Sequence, residues 1–251
     1  MTATLASRSA VTAPTQFVMI DGRRIAYRAL DDGPPLILCN RLRGVLDVWD
    51  PAFLDALAEN FRVITFDYSG LGQSTGRATY ERKALAKDAE DLADARFAIG
   101  GWSLGGMAAQ VVVALYSERV THAILIDTTP PGKVNHPPEP ILMQTTLKPD
   151  NDLEDEIILF FEPKSAASRA AAKRSHERIA QRTTDLSPPI PEETYLRMLA
   201  ETRHEDLFHD DGGYRDFLKS TSIPILVISG DHEIIFPVEN WFDLNIVHRC
   251  S

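Results

Sequence analysis

From residue 16 to residue 128 the chain alternates short apolar runs with stretches of helical periodicity, and this alternation constrains the fold more than any other feature. Strands joined through helices return to the same end of a sheet, so such a pattern builds βαβ units around a mainly parallel sheet. Two opening strands, residues 16–20 and 24–29, flank the turn Asp21-Gly22. Further strands are expected at residues 35–39, at 62–66, in the run before GWSLGG and at 123–126, with helices at 51–59, about 81–94 and 104–116.

Past Asp127 the pattern changes. Prolines cluster in TTPPGKVNHPPEP and in LSPPIPEE, and helical periodicity occupies residues 153–161, 165–182 and 192–202. No strand is read in residues 128–209, and an apolar run resumes at 223–229. The expected architecture is therefore an α/β core of residues 16–127 and 210–251, a helical insertion at 128–209 after the sixth strand, and a loose N-terminal arm at 1–15. A length of 251 residues with 44% hydrophobic content is enough to bury one such core. At Leu92-Ala93-Asp94-Ala95-Arg96 a helix runs into a strand without a turn residue, which reads as the site of a short missing segment.

The formal net charge of -10, with no Lys/Arg block, argues against nucleic acid or an anionic membrane surface as partner. A neutral or weakly charged small molecule is the expected partner, and a homodimer is allowed. Cys39 and Cys250 are read as free thiols, because a chain of this size needs no disulfide framework. The opening residues have no apolar signal region and no run of eighteen apolar residues occurs, so a cytoplasmic location is expected. No His/Cys group has zinc spacing, and Gly70-Leu71-Gly72 does not continue as a dinucleotide fingerprint, so neither metal nor cofactor is expected.

Chemistry concentrates at Gly101-Trp102-Ser103-Leu104-Gly105-Gly106, a G-x-S-x-G turn between a strand and a helix. In that context the serine sits on a strained turn as an exposed nucleophile, and the glycines remove Cβ atoms where strand and helix pass closely. Leu104 opens the helix, so its N–H and the positive helix end face the place where a carbonyl oxygen would gain charge.

With these matches the chain resembles the α/β-hydrolase superfamily from about residue 16 onward. In that family a His-Gly-x-x-Gly loop follows the third strand, with a Trp further on. Here Asn40-Arg41-Leu42-Arg43-Gly44 leads to Trp49, so the spacing holds while His becomes Asn and the first Gly becomes Arg. By position, the resemblance makes the Leu42 N–H the second oxyanion donor beside that of Leu104. The stretch FRVITFDYSGLGQST is similar to the family's fourth strand and following turn, in which Asp67, Gly70, Gly72 and Ser74 have a structural role.

A serine hydroxyl needs a base, and the base needs a carboxylate to fix its tautomer. The resemblance places the acid in Gly230-Asp231-His232-Glu233-Ile234-Ile235-Phe236-Pro237, with Glu233 in the acid slot and Asp231 and Asp127 as alternatives. Chain order Ser, acid, His then requires a base after residue 233, and only His248 lies there. Fifteen residues are too few for the usual helix, strand and turn, so the family's histidine is expected just beyond Ser251, with His248 as the candidate within the chain.

The insertion is expected to shape the substrate pocket through Ile141, Leu142, Met143, Ile157, Leu159, Phe160, Phe161, Leu196 and Met198, residues that equally suit the insertion's own core. Trp102 and Arg41 are the more specific substrate-binding candidates, and Arg41 and Arg43 would hold either a substrate carboxylate or, as the favoured arrangement, an acidic neighbour. The implied activity is a serine hydrolase of esters or lactones of small, largely apolar substrates, working through an acyl-enzyme. The alternatives are a ligand-binding protein with weak or no catalysis on the same scaffold, or a cofactor-free carbon–carbon hydrolase or peroxidase.

Overall fold

The structure, a computed structural model, describes residues 9–140, 145, 148, 151–202, 204–242 and 244. Among these, Gln16–Ile20 (β1), Arg23–Leu30 (β2), Pro35–Cys39 (β3), Arg62–Phe66 (β4), Phe97–Trp102 (β5), Val120–Ile126 (β6) and Ile225–Ile228 (β7) form one sheet. The strand order is β1-β2-β4-β3-β5-β6-β7. The pairs β1–β2 and β2–β4 are antiparallel, and every later pair is parallel.

Helices cover both faces, as the alternation predicts. They are Pro51–Ala58 (α1), Arg82–Asp91 (α2), Leu104–Leu115 (α3), Leu153–Phe160 (α4), Ala166–Ile179 (α5), Glu192–Glu201 (α6), Tyr214–Ser220 (α7) and Glu239–Phe242 (α8). The period-two alternation of β3 shows why a central strand reads as a continuous apolar run. Ile37 and Cys39 join one buried cluster with residues of α2 and α3, while Leu36 and Leu38 join the opposite cluster with Leu54 and Ala58 of α1. Helix α3 is buried from Leu104 to Val113, which anchors the turn that precedes it.

Local chemistry starts and stops these elements. Asp50 caps α1 by accepting from the Ala52 N–H at 2.9 Å, with Pro51 in the first helical position. Asp152 and Asp155 form a reciprocal capping box on α4. The described part of residues 128–209 contains α4, α5 and α6 and no strand. Helix α7 was not foreseen in the sequence: Tyr214 and Leu218 are its buried residues and it has no extended apolar stripe.

One expectation needs correction. Residues 9–15 of the N-terminal arm are docked rather than loose. Ala10 and Ala13 are buried in the α1-side cluster, Arg182 donates to the carbonyls of Ala10 and Val11 at 3.3 and 3.0 Å, and the Thr15 N–H donates to Asp185 at 2.8 Å. Small side chains hid this, because alanine burial leaves no periodic signature. At 92–96 the helix passes directly into the strand through a short connection. The backbone leaves α2 through Ala93 N–H donating to Glu90 at 3.1 Å, and Arg119 holds the connection by pairing with Glu90 and donating to the Ala93 carbonyl.

Candidate active site

Ser103 joins β5 to α3 with φ 57° and ψ −118°, a conformation that costs an L-residue about 1–3 kcal/mol. Four hydrogen bonds hold it there. Its N–H donates to Ile126 at 2.9 Å, and its carbonyl accepts from Gly106 N–H at 2.9 Å, Met107 N–H at 3.3 Å and the Thr128 hydroxyl at 2.8 Å. The glycines are required by contact: a Cβ at Gly101 would stand 2.1 Å from the Gly105 carbonyl oxygen, and one at Gly105 would stand 2.1 Å from that of Cys39. This close approach brings the end of β3, and so the Asn40–Gly44 loop, against the start of α3.

In that loop Asn40 occupies the family's histidine position and is fully buried. Its Nδ2 donates to the Phe66 carbonyl at 2.7 Å, and its Oδ1 accepts from Trp49 Nε1 at 2.6 Å. One amide thus satisfies two buried groups and ties the loop to β4. The loop closes as a turn, with Gly44 N–H donating to the Arg41 carbonyl at 2.9 Å and Arg43 at φ 59°.

Ser103, Leu42 and Leu104 all line a cavity of about 550 Å³. The Leu104 N–H belongs to the first turn of α3, where no intrahelical acceptor exists. The Leu42 N–H donates to no protein acceptor among the described residues. A strained serine at a cavity wall, next to a helix N-terminal amide and sharing that wall with Leu42, is an element that acyl-transfer chemistry uses.

The acid candidates lie at the ends of β6 and β7. Glu233 is half-buried and its Oε1 accepts from the Ile235 N–H at 2.8 Å, while Ile235 and Phe236 line the cavity. Burial pushes its carboxyl above the usual value, against the Ile235 N–H, and the charge of Asp127 adds to the rise. Asp127, at φ 39°, accepts from Gly230 N–H at 3.2 Å and is also pushed up by burial. Asp231 is exposed. His248 lies outside the described residues. Of the other histidines, His136 donates its backbone N–H to Asn240, while the His176 and His232 rings face Glu156 and Glu162. His204 lines the cavity and stacks on His209, with ring centroids 4.4 Å apart.

Trp102 is not among the residues that line the cavity; its ring packs 5.9 Å from Trp49 and 5.0 Å from Phe160 between centroids. Arg41 lines the cavity, its guanidinium 5.2 Å from the centroids of both the Trp102 and Phe160 rings. Leu159, Phe160 and Leu196 from the helical insertion also line it, whereas Ile157 and Met198 are buried in packing. Ile141, Leu142 and Met143 lie outside the described residues. Sequence reasoning missed Tyr80, Arg82 and Met107, which face the same cavity without any motif to mark them.

Asp67 ties the floor together: its Oδ1 accepts from Leu46 N–H at 2.8 Å, and its Oδ2 from Gln73 N–H at 2.8 Å and the Ser187 hydroxyl at 2.6 Å. A Cβ at Gly72 would stand 2.2 Å from Asp67 Oδ2, so that turn admits only glycine. No group of three or more His, Cys, Asp or Glu that could hold a metal ion occurs among the described residues, and no helix there is long and apolar enough to cross a membrane.

Known proteins resemble this chain in sequence and fold. The chain is 34% identical over 125 residues to the proline iminopeptidase PfmaB of Pestalotiopsis fici, a match covering 46% of this chain and 44% of that protein. It is 25% identical over 224 residues to the pimeloyl-[acyl-carrier protein] methyl ester esterase of Vibrio campbellii, covering 87% of this chain and 84% of that protein. The chain spans less than half the length of the first curated relatives it matches, 39–44% of each. Among solved structures, an alpha/beta hydrolase fold protein from Chitinophaga pinensis aligns with a TM-score of 0.78 at 25% identity, covering 94% of this chain and 86% of that one. The enol-lactonase of Burkholderia xenovorans LB400 shares the fold, with a TM-score of 0.63 at 22% identity over 91% of this chain and 86% of that one. A family model described as alpha/beta hydrolase fold matches residues 34–245, and the chain belongs to that family.

Proposed function

We propose that the protein is a serine hydrolase of carboxylic esters or lactones. The Ser103 Oγ attacks the carbonyl carbon, and the N–H groups of Leu42 and Leu104 take the developing oxyanion. A histidine oriented by Glu233, for which His248 is this chain's candidate, removes the hydroxyl proton and returns it to the leaving alcohol. Water then releases the acyl group by the same route. The single observation that carries this reading is the strained Ser103 on the wall of a 550 Å³ cavity that Leu42 and Leu104 also line. The relatives named as an ester hydrolase and an enol-lactonase support the bond class.

A second reading is a ligand-binding protein on this scaffold. It is favoured by one observation: no histidine is hydrogen-bonded to Glu233 or Asp127 among the described residues. A fluorophosphonate probe separates the two. Labelling of the full chain at Ser103 that disappears in Ser103→Ala supports the hydrolase, and an unlabelled but folded chain supports the binder. Hydrolysis of 4-nitrophenyl esters by the same preparation measures turnover directly.

A further inference from the structure

Carboxylates outnumber cations in this chain, 36 to 26, and several of its buried or half-buried arginines pair with them. Arg23 pairs with Asp88 and Asp91, Arg28 with Asp47, Arg119 with Glu90 and Arg178 with Asp50. Arg41 and Arg82 do not. Neither forms an ion pair among the described residues, and the Nε of each is shut off from solvent without a hydrogen-bond partner. The remaining contacts are to neutral groups. Arg41 donates to the Leu42 carbonyl at 3.0 Å, and Arg82 donates to the carbonyls of Tyr80 and Leu207 at 3.0 and 2.7 Å.

Both arginines line the cavity that holds Ser103. Arg43 lines it as well, held by the Lys148 carbonyl at 2.9 Å and by the Tyr195 ring. Against these three guanidinium groups stands Asp206, the one carboxylate among the described lining residues, so the cavity is electropositive in a protein of net charge -10. Burial pushes both Arg41 and Arg82 below the usual arginine range without removing their charge. The charge of Glu156 acts on Arg41 from beyond ion-pair distance, and burial alone shifts Arg82. A partly buried cation without a counter-charge in contact is costly to keep, and the cost falls when a ligand brings an anion against it.

We propose that this cavity selects an anionic substrate, an ester or lactone whose acyl or alkoxy part carries a carboxylate received by Arg41 and Arg82. The ester-cleaving step rests on the hydrolase reading, but the anion selection does not. It replaces the expected internal partner of Arg41 with a substrate group, and it narrows the largely apolar substrate to one with an apolar body and an acidic end. Phe160, which lines the cavity, suits such a body, and the Trp102 and Phe160 rings together fix the guanidinium in place before the ligand arrives.

The test is calorimetric titration of the full chain carrying Ser103→Ala with monomethyl glutarate and with the neutral dimethyl glutarate. The half-ester should bind about 10- to 100-fold more tightly than the diester, as charge-assisted hydrogen bonds require. That advantage should collapse when Arg41→Met or, independently, Arg82→Met is added to a chain whose circular dichroism is unchanged. Equal binding of the two ligands, binding of neither, or an advantage that survives both arginine substitutions overturns the proposal. Fluorophosphonate labelling of the unsubstituted chain keeps the two readings apart. Labelling without anion discrimination removes only the anion selection, and discrimination without labelling removes only the hydrolase.

Discussion

The Thr128 hydroxyl donates to the Ser103 carbonyl at 2.8 Å, and the Thr128 carbonyl in turn accepts from Trp241 Nε1 at 2.8 Å. Thr128, two residues past β6, therefore locks the strained turn to helix α8. Replacing Thr128 by valine keeps the shape and removes the donor. We expect a loss of about 1 kcal/mol in urea unfolding, with weaker fluorophosphonate labelling at Ser103 as the turn relaxes. Full labelling at unchanged stability would show that the other three hydrogen bonds suffice.

The glycine contacts predict a steeper effect. In Gly105→Ala the added methyl meets the Cys39 carbonyl at 2.1 Å, and both partners are backbone held in a sheet and a helix. We expect about 3 kcal/mol of destabilisation or a failure to fold. By contrast Gly22→Ala meets nothing within 4 Å and bears only the strain of φ 77°. Thermal unfolding of the two variants side by side measures the difference.

Asn40→Ala leaves the Trp49 indole N–H and the Phe66 carbonyl without their partner in a buried site. The expected cost is about 2 kcal/mol or more, because each orphaned group loses its hydrogen bond without regaining water. A red-shifted Trp49 emission would accompany it. If denaturation is unaffected, the asparagine is not the tie between loop and sheet that its two bonds indicate.

Glu233 sets a pH dependence with a definite sign. Burial raises its folded value above the ordinary 4.5, so the folded state holds the proton more tightly than the unfolded state does. Its contribution is present below 4.5 and is lost as pH rises through the raised value. The variant Glu233→Gln, which keeps an acceptor for the Ile235 N–H, should match the parent at acid pH and become the more stable protein towards neutrality. A stability difference that does not change with pH would count against the raised value.

Releasing the N-terminal segment should be separable from the site. Arg182→Met removes the donor to Ala10 and Val11, so amide exchange at residues 10–13 should rise several-fold while labelling at Ser103 is retained. Unchanged exchange would place the anchoring in the buried Ala10 and Ala13 alone.

The sequence by itself determined the sheet, the order of its elements from residue 16 to Ile126, and the turn at Ser103. Those follow from local rules: period-two burial, helical periodicity, and glycines placed where chains must touch. It also marked Leu42 and Leu104, because a backbone amide's place is set by its distance along the chain from a motif. Only the tertiary structure decided how residues distant in sequence meet. Arg82 joins Arg41 at one cavity because α2 and the Asn40–Gly44 loop pack on the same end of the sheet, and the helices after β6 carry Phe160 over both. That neither arginine has a carboxylate in ion-pair contact among the described residues is a property of packing in three dimensions, and no periodicity, composition or spacing encodes which charges lack such a contact.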